Sequence, residues 1–147
     1  MPDFKKLIVW QKAHQLALRA EQVAKRVARR KPALAKQLER AADSVPAVIA
    51  EGRGRGSDAD FAHFVTMAIG SVTEVENHVQ RGHDSGAIPR SDYEELTGSA
   101  IEIRRMLIGL RRTLRGQPRP DPGVDPSHDP GPNNAPAQSP SPEPEPE

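Results

Sequence analysis

Gly52-Arg53-Gly54-Arg55-Gly56 is the segment of this chain whose residue types and spacing come nearest to chemistry. Glycine lets a backbone close on a phosphate, and the free N–H groups at a helix start attract anions. The run lacks the Gly-Lys-Ser/Thr of a phosphate loop, no strand precedes it, and Asp58 and Asp60 already occupy the positive helix end that follows. It reads instead as a turn displaying two arginines, each able to offer a fork of N–H donors to a nucleic-acid backbone. Other constellations are thinner. Glu74 and His78 stand four apart, and Asp60 and His63 three apart. A metal wants at least three ligands, and a di-iron bundle needs two Glu-x-x-His pairs. His14, His63, His78 and His83 have no Ser partner at a telling spacing, and there is no Cys. Neither an enzyme, a metal nor a cofactor is expected.

The elements that must position these residues are helices. Ala13, Leu16, Ala17, Ala20, Val23, Ala24 and Val27 share one face of a first helix over residues 7–30, which Pro32 ends. Leu34, Leu38, Ala41, Ala42, Val45 and Ile49 stripe a second, over 34 to about 52, which Pro46 should kink or split. Ser57 caps a third whose apolar face runs from Phe61 to Val79 and which stops near Gly82. Ser91-Asp92-Tyr93-Glu94 opens the fourth as a capping box. Tyr93, Leu96, Ala100, Ile103, Leu107, Leu110 and Leu114 form its seam, and Ile101 and Ile108 make a second stripe that suggests a subunit interface. With aromatics at 3%, the core must be aliphatic and rich in Ala. The fold predicted is an all-α, antiparallel up-down-up-down four-helix bundle over residues 1–115.

After Arg115 the composition changes. Residues 116–147 hold 11 prolines and carry a net charge of −5, which predicts a disordered acidic tail. Residues 1–115 are left at +6, with 20 Lys and Arg against 14 Asp and Glu. In an up-down-up-down bundle, the starts of helices one and three and the ends of helices two and four share a pole. Lys5, Lys6, Lys12, Arg53, Arg55, Arg111, Arg112 and Arg115 should gather there against Asp3, Glu51, Asp58 and Asp60. Such an excess attracts a phosphate backbone by counterion release. Lys5, Lys12, Arg53, Arg55, Arg111 and Arg112 are the candidate contacts. The start of the chain does not read as a signal peptide, and no stretch reaches the ~18 apolar residues of a membrane span, so the cytoplasm is the expected location.

Four segments, in order and with matching spacing, carry a resemblance. Phe4-Lys5-Lys6-Leu7-Ile8-Val9-Trp10-Gln11-Lys12-Ala13-His14 is followed by Gln37-Leu38-Glu39-Arg40-Ala41-Ala42 leading to Val45-Pro46. Ile49-Ala50-Glu51-Gly52-Arg53-Gly54-Arg55 comes next, then Ser57, Asp60-Phe61, Phe64, Ala68, Gly70-Ser71 and Glu74. Over residues 3–115 the chain resembles the 23S rRNA-intervening-sequence proteins, small bacterial four-helix bundles. The resemblance extends to the accessory protein of diversity-generating retroelements, and it implies a homo-oligomer, pentameric in that relative, that contacts RNA or DNA and a reverse transcriptase. Val48 stands where the family has Asn, and the Pro-rich tail is not a family feature. Two functions are carried forward: a non-catalytic homo-oligomeric scaffold on a nucleic-acid backbone, and a protein–protein adaptor with no nucleic-acid role.

Overall fold

The computed structural model describes residues 3–117, and these form four α-helices behind one short 3-10 turn, Phe4–Lys6. The helices are α1, Ile8–Val27; α2, Pro32–Arg53; α3, Asp58–Asp84; and α4, Arg90–Leu114. The expected disorder of the tail falls, from residue 118 on, outside the described residues. No described helix is long and apolar enough to cross a membrane.

Side-chain contacts set the relative directions of the helices. Lys12 meets Glu102 while Arg19 meets Glu95, so α1 and α4 run in opposite senses. Ser44 bonds Ser71 near the middle of α2 and α3, while Gly52 lies against Phe61 and Phe64. Arg111 bonds Thr66 at one end of α3 and α4, and Tyr93 bonds Gln80 towards the other. These pairs are therefore antiparallel as well. The core between the helices is made of small aliphatics: Ala13, Ala20, Leu38, Ala42, Val45, Ile49, Val65, Ala68, Val72, Val75, Val79, Ala100 and Leu107 are all fully buried. Such short side chains let helix axes approach closely.

The ends of the helices depart from expectation in instructive ways. Ser57 does cap α3, its hydroxyl accepting from the Asp60 N–H at 3.1 Å. Ser91 does not cap α4. The helix begins one residue earlier, at Arg90 behind an extended Pro89, and Glu94 is held by Arg90 at 2.9 Å instead of reaching back to a backbone N–H. Pro46 neither breaks nor splits α2, which continues to Arg53. Its ring is buried, and the apolar surface it adds offsets the one backbone bond it cannot make. α1 ends at Val27, so Arg29 and Arg30 fall in the connection to α2. α3 runs two residues past Gly82, and Gly86, at φ +78°, supplies the left-handed residue that turns the chain.

Candidate functional site

The first pole assembles from the ends of four elements. The turn Phe4–Lys6 begins at Asp3, whose carboxylate accepts from the Lys5 N–H at 3.0 Å, and is held to α1 by Gln11, which donates to the Lys5 carbonyl at 2.7 Å. Lys5 and Lys6 are exposed beside it, with no ion-pair partner among the described residues. The remaining candidates are in different states. Arg55 is paired with Glu51 at 2.9 Å, one helical turn back, and its guanidinium lies 4.7 Å from the Phe64 ring. Arg53 is half-buried, 6.0 Å from the Phe61 ring, with its Nε shielded from water and unbonded. Arg112 is half-buried.

Two of the predicted contacts already have partners within the fold. Lys12 lies one turn into α1 and is paired with Glu102 at 2.8 Å, on the seam with α4. Arg111 is only 8% exposed and donates to the Thr66 hydroxyl at 3.3 Å, so it braces α4 against α3. The second stripe on α4 also resolves into two cases. Ile108 is 5% exposed and belongs to the interior of the chain itself, while Ile101 is half-buried.

The glycine-arginine segment has a packing role that its composition concealed. A Cβ on Gly52 would sit 2.6 Å from the Phe64 Cβ and 2.8 Å from the Phe61 ring. Gly52 is thus the residue that lets α2 approach α3, and no phosphate cradle is needed to explain it. Trp10 is half-buried, at an edge contact with Phe4 and stacked on His14 at 4.9 Å. Glu74 and His78 acquire no third ligand, and no metal-like cluster occurs among the described residues.

The sequence reading missed an ion cluster between α1 and α4. Asp92, only 5% exposed, accepts from Arg19 at 2.8 Å and forms an ion pair with Arg26 at 2.9 Å. Glu95 takes a second bond from Arg19, and that hydrogen bond is the main reason the Arg19 guanidinium holds its proton more tightly than usual. Arg19 and Arg26, seven apart, lie on one face of α1, and that spacing was the available signal. Arg104 and Glu76 make a comparable pair between α4 and α3.

The opposite pole is the second thing missed. Arg30 donates to the Gly86 carbonyl at 3.3 Å, which ties the α1–α2 connection to the α3–α4 connection. Lys31, Pro32, Ala33, Leu34 and Arg81 line one open groove there of about 250 Å³. Ala33, Leu34, Gln37, His78 and Arg81 line an adjoining one of about 410 Å³. Lys31 and Arg81, which line them, and Arg29 and Lys36, near the lining residues in sequence, are exposed with no carboxylate partner among the described residues.

Comparison with known proteins places these features. A family model described as 23S rRNA-intervening sequence protein matches residues 5–109. A solved structure with 25% sequence identity and a TM-score of 0.68 covers 71% of this chain and 99% of its own. It is a protein of unknown function from the S23 ribosomal protein family of Bacteroides thetaiotaomicron VPI-5482. No curated protein matches the chain.

Proposed function

The chain belongs to the 23S rRNA-intervening sequence protein family, and from that premise we propose that it is a non-catalytic, self-associating binding module that contacts the phosphate backbone of RNA or DNA through the basic ends of its bundle. One observation carries the reading. Cations without carboxylate partners are concentrated at the helix ends, with Lys5, Lys6, Arg112 and Arg115 at the first pole and a further group at the other. Unpaired exposed cations keep their full field for an incoming polyanion, whereas Lys12 and Arg55 have theirs largely cancelled by Glu102 and Glu51. Contacts of this kind give affinity without base readout. Self-association is part of the proposal because the family resemblance implies a homo-oligomer; Ile8, Leu18 and Met67, at 56%, 50% and 46%, are the large apolar side chains most exposed to a partner.

The test is a titration of the full chain into labelled single-stranded RNA and duplex DNA at about 50 mM and about 200 mM salt. Binding that weakens steeply with salt is the expected result. Absence of binding at the lower salt would leave the same apolar side chains as docking points for a protein partner, which is the adaptor reading. Light scattering on the same sample checks self-association, and a monomer would remove that half of the proposal.

A further inference from the structure

We propose that the pole formed by the α1–α2 and α3–α4 connections is a site for single-stranded nucleic acid, with phosphates on Arg29, Lys31, Lys36 and Arg81 and an unstacked base in the groove between α2 and α3. This rests on the reading that the chain binds nucleic acid, and it goes further by naming the pole, the residues and the strandedness.

The charge argument compares the two ends. At the first pole, Asp58 and Asp60 stand among the cations without cationic partners of their own, and Arg55 is already paired with Glu51. At the second pole the pairing is complete for Arg26, which serves Asp92, and for Arg90, which serves Glu94. Arg29, Lys31, Lys36 and Arg81 are left over; the unpaired acids nearest them in sequence are Glu39, three residues from Lys36, and Asp84, three from Arg81 and itself accepting from Gln80 at 2.9 Å. A phosphate arriving here displaces no existing ion pair.

The groove argument selects the kind of nucleic acid. Ala33 and Leu34 line both depressions and Pro32 lines one, an apolar strip at the start of α2. Arg81 stands at the border of both, and Gln37 and His78 stand at one. A flat apolar surface edged by a guanidinium suits a base that has left its stack, because the guanidinium plane can lie on the ring while Gln37 and His78 offer hydrogen-bonding groups to its edge. A duplex keeps its bases stacked and paired. It can use the cations but has nothing to place in the groove.

The experiment compares the full chain with variants on a labelled single-stranded RNA and on a duplex of the same length, by anisotropy at about 50 mM and about 200 mM salt. The single strand should bind more tightly. Replacing Arg29→Glu, Lys31→Glu and Arg81→Glu together removes three phosphate contacts. With a slope of about 0.7 per contact on single strands, the loss of affinity on that fourfold rise in salt should shrink by about 18-fold. None of the three side chains holds a partner in the fold, so the variant should keep the helical circular dichroism of the parent. Arg81→Lys keeps the charge and loses the plane; it should weaken the single strand while leaving the salt slope unchanged. A Lys5→Glu, Arg112→Glu variant removes two cations from the other pole and should lower affinity for the single strand, but by less than the triple variant does. If that variant loses binding while the triple variant keeps it, the site is at the wrong end, although nucleic-acid binding stands. Equal affinity for duplex and single strand would overturn the base seat. A parent that binds neither would defeat the functional reading itself.

Discussion

Replacing Gly52→Ala and Gly70→Ala makes the same chemical change in two helices, and the structure predicts opposite results. Gly70 lies within α3 with nothing within 4 Å of where a Cβ would stand, so alanine there should gain most of the ~1 kcal/mol by which it exceeds glycine in a helix. Gly52 would gain the same preference and lose more. Its Cβ would come to 2.6 Å from the Phe64 Cβ, an atom fixed to the α3 backbone that no rotamer change can move away. The helices must part or Phe61 must shift, and overpacking of this kind costs about 1–3 kcal/mol. Gly52→Ala should therefore lie between neutral and about 2 kcal/mol destabilising, and the two variants should differ by about 1–3 kcal/mol. In a domain of this size that is on the order of 4–12 °C in Tm. Thermal and urea unfolding of the full chain, followed by circular dichroism, measure it. If Gly52→Ala is as stabilising as Gly70→Ala, the close approach of α2 to α3 is not what the glycine is for. A large fall in nucleic-acid affinity at unchanged stability would point back to a phosphate-cradling role.

Three further outcomes follow from the contacts. Asp92→Ala leaves Arg26 without its carboxylate and Arg19 with Glu95 alone; because both arginines keep access to water, the loss should be about 1–3 kcal/mol, below that of a fully buried pair, and urea unfolding will show it. Ser57→Ala removes the α3 cap and should cost about 1 kcal/mol, with Ser91→Ala close to neutral by the same measurement, since Ser91 caps nothing. Partial burial, with Glu21 adding its charge, raises the Asp43 pKa, so the folded state holds that proton more tightly than the unfolded one does. The stability it contributes is complete below the unfolded value of about 3.9 and is lost as pH rises through the folded value. Asp43→Asn should therefore raise Tm slightly at pH 7 and not at pH ~3; a gain that is independent of pH would assign it to something other than charge.

The four helices were legible because their apolar residues recur at helical spacing, and each stripe, from Ala13 to Val27 and from Phe61 to Val79, is the face that the structure buries. The cap at Ser57 was legible because it depends on a residue three positions away. Ser91 offered the same local pattern and failed, because Pro89 starts α4 one residue sooner and Arg90 engages the glutamate that the box requires. Pro46 was legible as a residue that should kink or split its helix; α2 is not split, and the burial of the ring against neighbouring helices could not be read from the local pattern. Gly52 was legible as a glycine that matters and illegible as to why, since the atoms it must avoid belong to Phe61 and Phe64, across a turn.

The candidate site exposes a sharper limit. Counting charges by helix end places Lys12, Arg55 and Arg111 in one basic cluster, and each is then removed or weakened by a different partner. Glu51 sits one turn from Arg55 and could have been discounted from the sequence. Glu102 is 90 residues from Lys12 and becomes its partner only when α1 packs on α4. Arg111 is withdrawn into the contact with Thr66 on α3. The opposite pole gains by the same process. Asp92 and Glu94 look like neutralising charges in the sequence, but each is committed to an arginine within the fold. Their commitment leaves Arg29, Lys31, Lys36 and Arg81 uncompensated. A polyanion responds to the charge left after folding has made its own pairs, so the end of this bundle with the more ordinary sequence is the one better prepared to meet it.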